Sequence, residues 1–265
     1  MRKKILMIGN TDGLPGVPVS IDSYYSFFTS PIGGNWCSEE IDILLNPTKR
    51  YLFNKIADIE EADYDYVITI FLGHGAEIDY EIILCINAQG ELIALRHLMN
   101  LSQKQLLIVE CCRAPVQIPF DLAFVETGAT MLSMSRNRIR RVYEDRIRDC
   151  PPQEVILFAC DTGEVAKGSP DGGRYSMHLL RAVWAVIGDS HSPFISVNRV
   201  HHKAASSMRA KPHILQHPQI QQSRNSTFRR LPLVVNPQIW GIYDQIWLNP
   251  SLIRMRTIGA ECESD

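Results

Sequence analysis

One segment limits the fold more than any other: residues 65–72 read DYVITIFL and are apolar on both faces of an extended chain. A strand at the surface of a sheet would alternate apolar and polar side chains, so this segment predicts a central strand covered on both sides. Similar short apolar runs occur at residues 4–8, 105–110 and 154–159. Because stretches with helical spacing lie between these runs, the sequence predicts an α/β fold whose sheet is largely covered by other layers.

The predicted helices have start signals as well as apolar faces. Asn46-Pro47-Thr48 is typical of an N-cap followed by a proline in the first helical position, and Leu52 and Ile56 then fall on one face. Two further helices are predicted over residues 175–186 and 197–208, an antiparallel hairpin from residues 81–87 and 91–95, and a late strand over residues 231–235.

Two regions are predicted to lie outside this regular pattern. Residues 135–152 carry six arginines and few apolar side chains, which predicts an exposed linker. The chain is expected to form one domain over residues 1–235, followed by a C-terminal extension over residues 236–265 that packs on it and has a loose end.

Composition excludes some partners and favours a compartment. The formal net charge of −2 gives no overall attraction to nucleic acid or to an anionic membrane. No stretch of 18 uncharged apolar residues occurs, and the apolar run near the N-terminus is too short for a secretory signal, so no membrane span is expected. Seven irregularly spaced cysteines favour free thiols and a cytoplasmic location.

Reactive residue types follow two of the predicted strands. One strand ends in GHG at residues 73–75, and the next buried strand ends in ECCR at residues 110–113. Because the carboxyl ends of parallel strands meet at one edge of a sheet, His74 and Cys112 can come within reach of each other. The glycines on both sides of His74 allow a sharp turn and close approach of a substrate.

This pair of residue types fits nucleophilic catalysis. A thiol near its ordinary pKa is only slightly ionised at neutral pH, and a nearby imidazole can take its proton and later protonate a leaving amine. Each half has a structural explanation on its own, because Gly-His-Gly also occurs in tight turns and paired cysteines at a strand end also pack in cores. Their joint occurrence at successive strand ends favours the catalytic interpretation.

Two sequence blocks resemble those of caspases and metacaspases. VITIFLGHG at residues 67–75 is similar to the histidine block of these families, and LIVECCR at residues 107–113 is similar to the cysteine block. The spacing within the second block puts the nucleophile at Cys112 and a polar residue, Glu110, two places before it, while Cys111 is expected to point the other way. The resemblance extends over roughly residues 3–235, and Ala114 departs from the glycine or serine usual in the family.

The resemblance implies a fold and a reaction. The fold would be a three-layer α/β/α caspase-like fold with a mostly parallel central sheet of about six strands. The protein would be a cysteine endopeptidase with a protein substrate, in which His74 and Cys112 are catalytic and the backbone N–H groups of Gly75 and Cys112 form the oxyanion hole. No metal and no cofactor are expected, and His201-His202 is interpreted as part of a solvated helix face rather than a zinc site.

Specificity and regulation are also inferred from the resemblance. Metacaspases that cleave after Arg or Lys use acidic residues at positions such as Glu110, and Asp161 follows the next strand, so a basic residue before the cleaved bond is expected. Alternatively, Glu110 pairs with Arg113 or caps a loop. Residues 135–152 lie where caspases are cut, which suggests self-processing there, although a solvated basic surface remains an equal alternative. Relatives of this kind often act in defence or cell death.

Two other functions remain open on the sequence alone. A caspase-like fold without activity could serve as an interaction module, although members that lose activity usually lack the histidine or the cysteine. A phosphate- or nucleotide-binding α/β protein is the third interpretation, and no Gly-x-Gly-x-x-Gly or Gly-x-x-x-x-Gly-Lys-Ser/Thr pattern supports it.

Overall fold

The predicted apolar runs form the central strands of one sheet. The computed structural model describes residues 1–114, 136–223 and 229–241. In chain order, the strands are β1 (Lys3–Gly9), β2 (Ile41–Leu45), β3 (Tyr66–Leu72), β4 (Gly75–Ile78), β5 (Glu81–Cys85), β6 (Leu92–Ala94), β7 (Lys104–Glu110), β8 (Gln153–Phe158), β9 (Gly168–Ser169), β10 (Gly172–Gly173), β11 (Phe194–Ser196), β12 (Gln219–Gln222) and β13 (Pro232–Val235). The helices are α1 (Gly16–Thr29), α2 (Lys49–Ala62), α3 (Arg136–Arg148), α4 (Arg174–Gly188), α5 (Val197–Arg209) and α6 (Pro237–Trp240).

Within the described residues, the central sheet has six strands in the order β12-β8-β7-β3-β1-β2. The five strands from β8 to β2 run parallel to one another, and β12 is antiparallel to β8. The predicted mostly parallel sheet of about six strands is therefore confirmed. Its two outer strands, β2 and β12, were not predicted. Strand β12 reads QIQQ and has no apolar run.

The sheet is covered on both faces, which gives the three layers expected. Along β1, Ile5 and Met7 belong to a core that also contains side chains of α1, α3, α4 and α5. Leu6 and Ile8, which point the other way, belong to a second core with α2 and the small antiparallel sheet β4-β5-β6. Adjacent residues of one strand thus enter opposite cores, as the alternation of side chains along a strand requires.

Helix α2 begins two residues later than predicted. Thr48 is the N-cap, and its side-chain oxygen accepts a hydrogen bond from the Tyr51 N–H group. Asn46 instead turns the chain after β2 with a positive φ, and its side-chain oxygen accepts from the Thr11 N–H group at 2.9 Å. The apolar face is as predicted, because Leu52 is completely buried.

The prediction of an exposed linker over residues 135–152 is wrong, because Arg136–Arg148 form helix α3. Ile139, Tyr143 and Ile147 recur every four residues and are buried in the first core. The Tyr143 hydroxyl also donates a hydrogen bond to the Pro232 carbonyl oxygen at 3.1 Å. A narrow apolar stripe was hidden among the arginines, of which Arg138, Arg141 and Arg148 are exposed.

Two smaller expectations have mixed outcomes. His202 is exposed as predicted, but His201 is buried, and its Nδ1 lies 2.8 Å from the hydroxyl of Tyr175. Burial lowers the pKa of His201 to about 4, so this ring is a neutral part of the core.

The C-terminal extension is described only as far as residue 241, and the rest of residues 236–265 lies outside the described residues.

Candidate active site

The two candidate catalytic residues leave neighbouring parallel strands at the same level. In the pairing of β3 with β7, Leu72 is opposite Glu110, and the Gly73 N–H group donates to the Glu110 carbonyl oxygen at 3.1 Å. His74 and Cys112 each lie two residues beyond this paired position. Since neighbouring strands are about 4.8 Å apart, the sheet delivers both residues to one place on its carboxyl edge.

His74 is held by the loop that follows β1. Its Nε2 atom lies 2.7 Å from the backbone carbonyl oxygen of Asp12. A carbonyl can only accept, so Nε2 carries the hydrogen, and Nδ1 is the nitrogen of the neutral ring that can take up a proton. The ring is half-buried, and the His74 carbonyl oxygen accepts from the Cys85 N–H group at 3.0 Å.

The two adjacent cysteines occupy different environments. Cys112 is half-buried, and its Sγ lies 3.7 Å from the carbonyl oxygen of Ala166. Cys111 is only 2 % exposed and belongs to the core on the opposite face of the sheet. Burial raises the pKa of the Cys111 thiol well above its ordinary value. The accessible thiol is therefore that of Cys112, in agreement with the expected alternation.

Burial also raises the pKa of the Cys112 thiol. A thiol in this environment is protonated at neutral pH, so it becomes a nucleophile only if a base removes its proton. His74 is the candidate base that the strand register brings to the same edge.

The glycines beside His74 are required by packing. A Cβ atom on Gly75 would lie 2.7 Å from Cys111 Sγ, and one on Gly73 would lie 2.9 Å from the Cβ of Asn10. These glycines therefore leave room for the side chains of Cys111 and Asn10, whereas the sequence predicted that they allow a sharp turn and the approach of a substrate.

A cavity of about 190 Å³ opens beside this pair. Its lining includes Gly13, Gly73, Glu110, Ala166, Lys167 and Gly173. Gly13 follows the residue that contacts His74, and Ala166 is the residue that contacts Cys112, so the cavity adjoins both catalytic candidates.

Glu110 is buried beside the cavity at the N-terminus of α4. Its carboxylate accepts hydrogen bonds from the N–H groups of Tyr175 (2.9 Å) and Ser176 (3.2 Å) and from the Ser176 hydroxyl. Burial raises the pKa of Glu110 to about 7, and the hydrogen bonds from Tyr175 and Ser176 partly counteract this increase. Glu110 thus caps the first turn of a helix rather than a loop, and it also lies in the cavity wall. Its expected role in substrate binding stays a prediction.

Asp161 does not join Glu110 in this cavity. It is exposed, and its carboxylate accepts from the Thr162 N–H group at 2.8 Å and from the Gln219 side chain at 3.0 Å. The residues that line the cavity in the described part of the chain do not include it. Its expected role in substrate binding stays a prediction.

Arg113 pairs with Glu77 rather than with Glu110. Its Nε and one terminal nitrogen lie 2.9 and 2.8 Å from Glu77 Oε2, and the other contacts include the Thr162 hydroxyl at 2.7 Å. The guanidinium also lies 4.6 Å from the ring centre of Phe158. These contacts join the segments after β3, β7 and β8. No sequence signal indicated this pairing, because Glu77 lies in a short strand of the second sheet.

Asp12 was also missed. Its carbonyl oxygen contacts the candidate base, and its side chain is buried in the loop after β1. Its position just beyond the end of a buried strand was the available signal, since functional residues concentrate at such ends.

Neither a metal cluster nor a membrane span is found in the parts of the chain that the structure describes. Across residues 1–114, 136–223 and 229–241, no three His, Cys, Asp or Glu side chains are grouped so as to hold a metal ion. No helix within these ranges is both long and apolar enough to cross a bilayer.

The sheet order and the layers are those of a caspase-like α/β fold. The fold is similar to the crystal structure of caspase-1 from Spodoptera frugiperda, with a TM-score of 0.53 at 12% sequence identity, covering 83% of this chain and 86% of that one. Comparisons with protein-family models and with curated proteins yield no match. At this identity the similarity is one of fold, and the chemistry depends on the residues described above.

Proposed function

We propose that this protein is a cysteine endopeptidase in which Cys112 is the nucleophile and His74 the general acid and base. The observation that carries the proposal is the register of β3 with β7, from which both residues emerge two positions beyond one paired level. The Nε2–H group is bound by the Asp12 carbonyl, which leaves Nδ1 for proton exchange with the thiol.

The reaction follows from these groups. The Cys112 sulfur would attack the carbonyl carbon of a peptide bond while its proton passes to His74. The N–H groups of Gly75 and Cys112 are proposed to bind the oxyanion, a contribution typically worth about 10²–10³ in rate per donor. His74 then protonates the leaving amine, and water hydrolyses the thioester and releases the second product.

A peptide panel tests this mechanism directly. Fluorogenic peptides with Arg, Lys or Asp before the cleaved bond are incubated with wild type, Cys112→Ala, Cys111→Ala and His74→Asn. We expect Cys112→Ala to abolish cleavage, His74→Asn to lower kcat/KM about 10²–10⁴-fold, and Cys111→Ala to retain activity. Cleavage that survives Cys112→Ala would exclude the proposal, and a wild type inactive on every peptide would favour the silent interaction module.

We extend the proposal to a basic residue before the cleaved bond. Glu110 is a buried carboxylate in the wall of the cavity that adjoins both catalytic candidates, and an incoming cation would offset the cost of ionising it. Lys167 lines the same cavity, which is why the panel includes aspartate. The natural substrate would be a partner protein, and by family analogy its cleavage would serve defence or cell death.

Two variants test this specificity. Glu110→Gln should lower kcat/KM for arginine peptides about 10- to 100-fold, the value of a hydrogen bond to a charged group, and should change cleavage of uncharged peptides much less. Asp161→Asn, at the exposed carboxylate outside the cavity, is the comparison that tests the second predicted substrate contact. A Glu110→Gln enzyme that keeps its preference for arginine would exclude the role of Glu110.

Self-processing in residues 135–152 is less favourable than the sequence suggested. A peptidase of this kind binds its substrate as an extended strand, whereas Arg138 and Arg141 are exposed on helix α3 and would have to unfold first. We therefore expect the bonds within Arg136–Arg148 to stay intact while peptides are cleaved. Mass spectrometry of the incubated protein measures this, and a cut after either arginine would contradict it.

A further inference from the structure

Asp12 combines two unusual properties at the candidate active site. It is 3 % exposed, and its N–H group donates to the Asn10 side-chain oxygen at 3.0 Å in the loop that follows β1. Both of its carboxylate oxygens are buried and find no hydrogen-bond partner in the described part of the protein. The carbonyl oxygen of the same residue contacts Nε2 of His74 at 2.7 Å.

A buried carboxylate that accepts no hydrogen bond lowers the stability of the folded protein, so its presence here indicates a functional role. None of the ion pairs between described residues includes Asp12. Bond lengths limit the distance between the carboxylate and the carbonyl oxygen of one residue to about 5 Å, which keeps the carboxylate within about 8 Å of His74 Nε2. His74 is thus a neighbour that can acquire a positive charge.

The other titratable groups around this loop do not supply that charge. Burial raises the pKa of the Cys85 thiol, and the negative charge of Asp12 contributes to the rise, so this neighbour on β5 is neutral. Glu110 lines the same cavity as Gly13, and its carboxyl group cannot carry a positive charge. Arg113, the cation that follows the nucleophile, is already paired with Glu77.

We propose that Asp12 is a positioning residue for His74, whose carbonyl fixes the ring and whose carboxylate stabilises the ring when it becomes positively charged. This inference rests on the proposed peptidase function. The proton moves from Cys112 Sγ to His74 Nδ1, which leaves a thiolate and an imidazolium. The Asp12 carboxylate gains its charge partner only in that state, and burial of the carboxylate strengthens the interaction.

The proposal predicts opposite effects on stability and on reactivity. Asp12→Asn removes the charge at nearly constant shape and keeps the backbone carbonyl, and Asp12→Ala removes the charge with fewer atoms. Both variants should unfold at higher temperature than wild type, because an unpartnered buried carboxylate is lost. Both should also have a less reactive Cys112. A residue with a merely structural role would lower the unfolding temperature when replaced.

The experiment measures alkylation of Cys112 by iodoacetamide against pH, with each modified cysteine identified by mass spectrometry. In Asp12→Asn, we expect the midpoint of the Cys112 profile to rise by about one pH unit and the rate near neutral pH to fall about tenfold. The exposed thiol of Cys37 serves as an internal reference, and its alkylation profile should be the same in wild type and Asp12→Asn. Asp58→Asn, on the exposed face of α2, is the matched control, and it should leave the Cys112 profile unchanged.

Two results would overturn the role of Asp12: an unchanged alkylation profile in Asp12→Asn, or a loss of stability in both Asp12 variants. Peptide cleavage that survives Cys112→Ala would instead overturn the peptidase proposal, so the two failures are distinguishable.

Discussion

Replacing Glu110 by glutamine should change how the stability of the protein depends on pH. Glu110 is buried, and burial raises its pKa to about 7 from an ordinary value of 4.5. The folded protein therefore keeps a proton on this group between about pH 4.5 and 7, whereas the unfolded chain has lost it. In that window the unfolded state binds fewer protons, so the free energy of unfolding falls as pH rises, and the loss is complete above about pH 7.

The size of the effect follows from the same values. The pKa difference is about 2.5 units, and each unit corresponds to about 1.36 kcal/mol, so ionising Glu110 should cost the folded protein about 3 kcal/mol. Glutamine cannot ionise, so Glu110→Gln lacks this dependence. The variant also loses acceptor capacity toward Tyr175 and Ser176, but that loss shifts its stability equally at every pH.

Urea unfolding of both proteins at several values between about pH 4 and 8 measures this difference. Relative to Glu110→Gln, the wild type should lose about 3 kcal/mol between the two ends of the range. Glu60→Gln, at an exposed position on α2, is the control and should follow the wild-type curve. Parallel curves for wild type and Glu110→Gln would refute the assignment of a buried, destabilised carboxylate at this position.

Other contacts give further expectations. Gly75→Ala places a Cβ 2.7 Å from Cys111 Sγ and should destabilise the protein by about 1–3 kcal/mol, measured by urea unfolding, whereas a neutral result would contradict the close packing. Arg113→Lys loses the two-nitrogen contact with Glu77 and should speed hydrogen exchange in the segment after β8, with unchanged exchange as the contrary outcome. Tyr143→Phe should cost about 1 kcal/mol for its hydrogen bond and Tyr143→Ala about 3–5 kcal/mol, and equal small losses would argue against α3 as a core helix.

The central strands were predictable because they bury both faces. The runs that became β1, β3, β7 and β8 contain few polar residues, so neither their type nor their position was ambiguous. The ends of these strands then indicated His74 and Cys112 as candidates, because the sheet must bring its carboxyl ends to one edge. This part of the site required no knowledge of side-chain contacts.

The outer elements were less predictable because their signals are weak or shared. Helix α3 has a narrow apolar stripe among charged residues, and composition alone made it resemble a linker. Strand β12 is polar, and among the described strands it lies at one edge of the sheet. Long-range partners such as Glu77 for Arg113 depend on where short elements pack, which sequence spacing does not encode.

The Arg113–Glu77 ion pair links the two chain segments that carry the catalytic candidates. Arg113 immediately follows Cys112, and Glu77 comes three residues after His74, so each charged group is fixed to the backbone beside one of them. Each side chain is only 12% exposed, which limits screening by salt. The spacing of sulfur and imidazole thus depends on an electrostatic interaction as well as on the sheet.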